Sequence, residues 1–250
     1  MSSRKPPRER ADLALVDQGL APSREKARAL ILAGEVLEGD RPIEKAGELV
    51  EAAVELRLRS APMPYVSRGG VKLAHALDTF GVEPRGLVAL DVGASTGGFT
   101  DCLLQRGAVR VHCVDVGHGQ LDWKIASDAR VRVHDRVNVR TIDPAVIGER
   151  VDLVVIDVSF ISLRLVLPVV PALARPGSQV VALVKPQFEV GRAHVGKGGI
   201  VRDDDARAQS LVHVRAAAEA LGFAALGDTT SPIKGGKGNI EFLLHLRAPQ

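Results

Sequence analysis

The sequence predicts an α/β fold in two parts: a large domain built on a doubly wound, parallel sheet, and a small α+β domain in front of it. From residue 67 onward, Val- and Leu-rich runs alternate with amphipathic segments, a pattern typical of a three-layer α/β domain. Several of these runs lead directly into an aspartate, which indicates a ligand site at one edge of the sheet. With 250 residues and 46% hydrophobic content, the chain can bury one sizeable core and a small satellite domain.

Composition narrows the class of protein. A net charge of +3 and a pI of about 9.0 suit a nucleic-acid partner. Cys102 and Cys113 are too few for a disulfide framework and lack metal-ligand spacing, so we expect two buried thiols, a reducing cytosol and no metal. No run approaches the roughly 18 apolar residues of a membrane span, and no apolar segment follows the basic N-terminus. We therefore expect a cytoplasmic monomer without membrane contact.

The N-terminal part, residues 1–60, predicts two short helices and a small sheet. A first helix stops at Gly19, Ser23 caps a second, and Gly34 ends that helix before a strand at residues 36–37. A further strand at 54–58 completes the sheet. The pattern helix, Gly-Leu-x-x-Ser-Arg, helix, Gly-x-Val resembles the S4-like RNA-binding domain, which it matches residue by residue.

This resemblance implies that the basic face of the second helix lies against the RNA backbone. Candidate phosphate contacts are basic residues of that helix, of the N-terminal tail and of the start of the large domain: Arg4, Arg10, Arg24, Lys26, Arg28 and Arg68. Acidic and basic residues balance within 1–66, so a solvated charged face is the alternative interpretation of the N-terminal set.

A boundary is predicted at residues 61–66, where Pro62 and Pro64 keep the chain extended and separate the first domain from a second at 67–250. The next segment predicts a helix that ends at Gly81 and buries Leu73 and Leu77. Lys72 falls in its first turn, where the helix dipole disfavours a cation, and this indicates a role other than stability.

The glycine-rich stretch that follows predicts a strand, a tight loop and a helix N-terminus, the arrangement of a nucleotide-type cofactor site. Ser95 stands where the dinucleotide fingerprint requires glycine, so a pyrophosphate ligand is disfavoured. The ammonium and carboxylate of S-adenosylmethionine suit the loop better, and a purely structural turn is the alternative. The candidate cofactor contacts are Asp91, Gly93, Ser95, Thr96, Gly97, Gly98 and Phe99.

Acidic residues also end three later strands, predicted at 109–115, 131–135 and 151–157. A carboxylate after the second strand of a doubly wound sheet accepts ribose hydroxyls, so Asp115 is the candidate ribose contact and Asp135 the adenine contact. A fifth strand at 178–184 delivers Lys185 to the same edge. A glycine-rich loop at 191–199, a helix at 203–221 and strands at 224–228 and 240–246 complete the domain.

Residues 67–250 resemble the FtsJ-like ribose methyltransferases, which carry a Lys-Asp-Lys-Glu tetrad in this chain order. With the S4-like domain in front, the whole chain resembles the TlyA family, often labelled haemolysin A. The motifs that carry the resemblance are YVSRGGVKL, DVGASTGGFT, DVSFISL, VKPQFEVG and GNIEF. The resemblance implies a Rossmann-like, class I S-adenosylmethionine-dependent methyltransferase with the catalytic residues Lys72, Asp157, Lys185 and Glu241.

The same resemblance implies methylation of cytidine 2′-hydroxyls in ribosomal RNA, free or in subunits. A ribose hydroxyl needs a base and precise alignment, and Lys185 is our candidate base, held by Asp157, while Lys72 and Glu241 orient the reacting groups. Because the chain ends at Gln250, soon after the last predicted strand, we expect 23S rRNA as the substrate ahead of 16S. A membrane-active haemolysin and a non-catalytic RNA-binding protein are the alternative functions.

Overall fold

A computed structural model of the chain describes residues 7–59 and 63–250. It divides into two compact units, one ending at Met63 and the other running from Pro64 to Gln250. The predicted boundary at 61–66 begins outside the described residues. Its last two residues, Tyr65 and Val66, pack against the hydrophobic core of the larger unit.

Within residues 7–59, the smaller unit contains two α-helices and five short strands. In chain order these are β1 (Arg8–Arg10), α1 (Ala11–Asp17), α2 (Arg24–Leu32), β2 (Val36–Glu38), β3 (Arg41–Pro42), β4 (Leu49–Glu51) and β5 (Leu56–Leu58). Strand β2 pairs antiparallel with β3 and β5, and β1 pairs with β4. The hydroxyl of Ser23 accepts a hydrogen bond from the Lys26 amide at 3.2 Å, which confirms the predicted N-cap.

The larger unit contains six α-helices, five short 3-10 helices and seven strands. In chain order the α-helices and strands are α3 (Gly69–Phe80), β6 (Val88–Val92), α4 (Gly98–Gln105), β7 (Arg110–Asp115), α5 (Trp123–Ala126), β8 (Val131–Asp135), β9 (Val151–Ile156), α6 (Val170–Leu173), β10 (Ala174–Val184), α7 (Pro186–Glu189), α8 (Asp204–Ala220), β11 (Ala224–Thr230) and β12 (Phe242–Arg247). Gly81 ends α3 in the left-handed conformation, as predicted.

The seven strands form one sheet in the order β11-β12-β10-β9-β6-β7-β8. Neighbours from β10 to β8 pair in parallel, and β12 is antiparallel to both β10 and β11. The predicted parallel α/β sheet is therefore confirmed, with one reversed strand. This reversal matters because the amino end of β12 meets the same edge as the carboxyl ends of the parallel strands.

Side chains alternate across this sheet and build a core on each face. Leu90, Val154 and Ala182 belong to the core on one face, while Ala89, Val155 and Val181 belong to the core on the other. A sheet buried on both faces explains why its strands are continuous apolar runs in the sequence. The two thiols, Cys102 and Cys113, are free and buried, as predicted.

Candidate active site

The candidate site lies at the point where the strand order turns, outside the carboxyl ends of β6 and β9. In open α/β sheets a crevice forms at this switch point because the connections leave the two neighbouring strands in opposite directions. Two adjoining cavities occupy it. Both are lined by Gly93, Ser95, Asp157 and Ser159, so they share one wall.

The first, which we call the polar cavity, has a volume of about 260 Å³ and a largely charged or hydrogen-bonding lining. It includes Lys72, Lys185, Arg68 and Thr96. The second, the apolar cavity, has a volume of about 470 Å³ and includes Val114, Val137, Phe160 and Ile161 together with Asp115 and Asn138. The site therefore offers a charged compartment beside an apolar one.

Asp157 belongs to the wall that the two cavities share, and Lys185 lies beside it in the polar cavity. Lys185 Nζ lies 2.5 Å from Asp157 Oδ1 and donates a hydrogen bond of 2.9 Å to the hydroxyl of Ser159. The contact with Asp157 has the distance of an ion pair without hydrogen-bond geometry, and among the described residues Oδ1 has no hydrogen-bond donor. The pair is part-exposed, so a substrate can reach the amine from the cavity.

Lys72 and Glu241 form a second ion pair that is almost fully buried. Lys72 Nζ donates to Glu241 Oε2 at 2.5 Å across 169 residues of sequence. Lys72 lies in the first turn of α3, and Glu241 immediately precedes the reversed strand β12. The structure thus brings all four predicted catalytic residues to one edge as two lysine–carboxylate pairs.

The glycine-rich loop shapes the wall that both cavities share. Gly93 has a φ of +85°, and a Cβ there would lie 2.7 Å from the Asp157 carbonyl oxygen, so a larger residue would push β6 and β9 apart. The carboxylate of Asp115 accepts the amide N–H of Ser95 at 2.9 Å and that of Gly117 at 2.7 Å. Each of its oxygens retains a lone pair for a further donor.

Three predicted cofactor contacts do not line either cavity. Asp91 is fully buried beneath α4, where it accepts the hydroxyl proton of Thr100 at 2.6 Å. Burial, followed by the nearby carboxylates, raises the pKa of Asp91 to about 7. Gly97 faces Leu121 and Ile125, and Asp135 accepts hydrogen bonds from His118 and the Gly119 amide. Strand alternation places the side chain of Asp91 on the α4 side of the sheet, while Gly97 has no side chain and caps the start of α4.

Several residues that line the site were missed as site candidates from the sequence, and Ser159 and Phe160 are the two with a distinctive contact or conformation. Ser159 is bonded to Lys185, and Phe160 is 91% exposed at the mouth of the apolar cavity with a φ of 64°. A non-glycine residue in that conformation is uncommon and indicates a functional constraint. The signal that could have found both is their position directly after Asp157, at the carboxyl end of a buried strand.

In the smaller unit, the predicted RNA-binding arginines surround one buried carboxylate. Arg10 donates to Asp12 at 2.9 and 3.1 Å, Arg24 donates at 3.1 Å, and Arg28 forms an ion pair at 3.9 Å. The hydrogen bond from Arg10 is the largest cause that lowers the pKa of Asp12 to about 2. The three arginine side chains remain 41–59% exposed, so they can still bind an anion.

The remaining predicted RNA contacts are placed separately. Lys26 is exposed on α2, and Arg68 is exposed at the rim of the polar cavity. Arg4 lies outside the described residues.

Within 7–59 and 63–250, no three His, Cys, Asp or Glu side chains lie close enough together to hold a metal ion. None of the helices in these ranges is long and apolar enough to cross a membrane.

Comparison with known proteins identifies the family of this chain. The model of the family described as FtsJ-like methyltransferase matches residues 65–248. A Bacillus subtilis protein named "Putative rRNA methyltransferase YqxC" is 49% identical over 250 residues, which cover 100% of this chain and 88% of that protein. The Mycobacterium tuberculosis protein named "16S/23S rRNA (cytidine-2'-O)-methyltransferase TlyA" is 46% identical over 241 residues, 96% of this chain and 90% of that protein.

A solved structure agrees over nearly the whole length. The structure described as "Putative hemolysin from Streptococcus thermophilus" has a TM-score of 0.76 and 44% identity, covering 98% of this chain and 90% of that one. This identity and coverage show that the chain shares both the fold and the family of these relatives.

Proposed function

This chain belongs to the FtsJ-like methyltransferase family, and we propose that it methylates the 2′-hydroxyl of a cytidine ribose in ribosomal RNA. The observation that carries the proposal is the Lys185–Asp157 pair in the polar cavity, because Asp157 also lines the adjoining apolar cavity. The names of the relatives from B. subtilis and M. tuberculosis support an rRNA substrate.

S-adenosylmethionine, the methyl donor of this family, fits the two adjoining cavities. Its amino-acid end is charged and suits the polar cavity, while its adenosine end suits the apolar one. Asp115 has free lone pairs for the ribose hydroxyls, beside the valines of the apolar wall. When bound, S-adenosylmethionine supplies an electrophilic methyl group on a sulfonium.

Lys185 removes the proton from the ribose hydroxyl. In its neutral form its Nζ accepts that proton while the ribose oxygen aligns with the methyl group. Asp157 and Ser159 then stabilise and orient the ammonium that forms, because both lie within 3 Å of Nζ. This division of roles resembles a base that is held by a neighbouring carboxylate.

Lys72 and Glu241 position the acceptor. Their mutual bond neutralises both charges in a buried place, and Lys72 also lines the polar cavity. A cation there can hold the ribose oxygens close to Lys185 without exchanging a proton. The exposed ring of Phe160, at the mouth of the neighbouring cavity, offers a stacking surface for the cytosine base.

We propose 23S rRNA as the substrate, with methylation of both 23S and 16S rRNA as the alternative, and a cytoplasmic monomer as the acting form. The arginines around Asp12, together with Lys26 and Arg68, supply contacts to phosphates that do not depend on sequence. Their exposed faces support this role.

The decisive experiment combines labelled transfer with mapping. Purified protein is incubated with methyl-labelled S-adenosylmethionine and with free rRNA, 30S or 50S particles, and ribose methylation is mapped to single nucleotides. We expect label at a cytidine 2′-oxygen. Binding of S-adenosylmethionine and RNA without transfer would support a non-catalytic RNA-binding protein, and leakage of liposomes caused by the pure protein would support a haemolysin.

A further inference from the structure

A buried carboxylate joins the two segments that carry the candidate base and its partner. Glu189 is 4% exposed and accepts the hydroxyl proton of Ser162 at 2.6 Å and the amide N–H of Leu163 at 2.7 Å. Arg164 lies 3.7 Å from the same carboxylate. Glu189 is the last residue of α7, which begins directly after Lys185.

The hydrogen bonds of Glu189 to Ser162 and Leu163 connect the two segments that carry Asp157 and Lys185. One segment runs from Asp157 through Ser159 and Phe160 to Ser162, and the other runs from Lys185 to Glu189. The amide of Asp157 is already fixed to the Val92 carbonyl oxygen at 2.9 Å. The first segment is therefore held at the sheet by one bond and at its far end by Glu189.

Hydrophobic packing does not explain why a carboxylate is buried at position 189. Burial raises the pKa of Glu189, while its hydrogen bonds and Arg164 act in the opposite direction, so the site tolerates an unfavourable desolvation. The segment that it holds includes Phe160, whose left-handed backbone needs support from its surroundings. The rings of Phe160 and Phe188 lie 5.4 Å apart, a second contact between the same two segments.

We propose that Glu189 is a positioning residue, which sets the distance between Lys185 and its partners Asp157 and Ser159 by fixing the two segments to each other. The proposal rests on the proposed methyl transfer for its consequence in turnover. Its structural part, the attachment of residues 157–163 to α7, stands on the hydrogen bonds alone.

Three variants separate the bonds. Glu189→Ala removes both, Glu189→Gln retains an acceptor for the Leu163 amide, and Ser162→Ala removes one. A shift of about 1 Å between reacting groups can lower turnover about 100-fold, so we expect kcat to fall about 100-fold in E189A and about 10-fold or less in E189Q and S162A. The Ser162 hydroxyl also accepts hydrogen bonds from Arg164, which S162A removes in either background. Because E189A already lacks the Ser162–Glu189 bond, S162A should lower kcat by a smaller factor in E189A than in the wild type.

A structural defect would look different. Asp152→Ala is the matched control, because Asp152 also accepts a backbone amide, that of Val88 at 3.0 Å, but at the opposite end of β9. We expect D152A to keep the kcat of the wild type, and E189A to keep the KM for S-adenosylmethionine within about threefold of the wild type. Equal losses in kcat, cofactor affinity and folded fraction would overturn the proposal.

Hydrogen exchange tests the attachment without reference to activity. We expect amides 158–163 to exchange at least tenfold faster in E189A than in the wild type, and unchanged in D152A. Unchanged exchange in E189A would overturn the proposal even in an active enzyme. An inactive wild-type protein whose E189A variant exchanges faster would instead count against the proposed function and leave the attachment supported.

Discussion

Both units gather cations around carboxylates, but with different cations and in different ratios. At the sheet edge, two lysines pair one to one with Asp157 and Glu241. In the smaller unit, three arginines share the single carboxylate of Asp12. A lysine can lose its proton, whereas an arginine remains charged at every relevant pH. The first arrangement can therefore move a proton, and the second presents a permanent positive surface.

The strongest test of this contrast places the arginine chemistry at the sheet edge. Lys185→Arg keeps the charge but removes the ability to accept a proton, so we expect methyl transfer to fall about 1,000-fold, as in Lys185→Ala. The measurement is single-turnover transfer to rRNA, with S-adenosylmethionine binding by calorimetry as the control for an intact site. Activity of K185R near that of the wild type would exclude Lys185 as the base.

The next test breaks the buried pair. Removing one partner of a buried ion pair strands the other charge, so Lys72→Met and Glu241→Met should each lose about 3–5 kcal/mol of unfolding free energy. The double variant should recover most of that loss but not the activity, because Lys72 lines the polar cavity. Chemical denaturation and transfer assays check both points. A double variant as active as the wild type would reduce the pair to a structural element.

The two units also differ in the expected pH dependence of stability. The pKa of Asp91 is raised to about 7, so the folded state holds its proton and loses stability as pH rises from about 4 through about 7. Between pH 5 and pH 7.5 this loss is about 2–3 kcal/mol, and Asp91→Asn should abolish it.

Asp12 has the opposite sign. Its pKa is lowered to about 2, so its contribution is present at neutral pH and disappears as pH falls from about 4 towards 2. Calorimetric unfolding over this pH range measures both effects. If D91N and the wild type keep parallel curves above pH 5, the explanation for Asp91 fails.

A smaller effect on activity is expected at Phe160, where the proposed contact with the RNA is an aromatic ring in place of a lysine or an arginine. Phe160→Ala removes a proposed stacking surface, and stacking contributes about 1–3 kcal/mol per base, so KM for RNA should rise about tenfold or more. Phe160→Tyr keeps the ring and serves as the matched variant. Equal KM values for F160A and F160Y in methyl transfer to rRNA would show that the ring makes no contact with the acceptor.

The smallest effect concerns the arginine cluster. Arg28→Lys preserves the charge and should leave RNA affinity within about twofold, while Arg28→Gln should lower the salt slope of binding by about one. Arg57→Gln is the control, because Arg57 pairs with Asp40 outside α2. Binding isotherms at several salt concentrations distinguish these variants. Equal slopes for R28Q and the wild type would favour the solvated charged face over a phosphate contact.

The sequence predicted most of the larger unit because its signals are local. Apolar runs mark its strands and Gly81 marks a helix end, and the motifs around Lys72 and Lys185 indicated the family that the comparisons confirm. Tertiary geometry was harder to predict. Whether Asp91 faces the crevice or α4 depends on strand alternation, and the arginines of α2 were predicted without their attachment to Asp12. The short strands β1, β3 and β4 carry too few residues for a periodic signal.

The reversed strand β12 has a consequence for the order in which the site is completed. Glu241 reaches the site because it lies at the amino end of β12, which pairs with β10 on one side and β11 on the other. The edge strand β11 pairs only with β12. The contact of Glu241 with Lys72 spans 169 residues, a separation that delays its formation in folding. During synthesis, the Lys72–Glu241 pair can therefore form only after β12 has docked against β10.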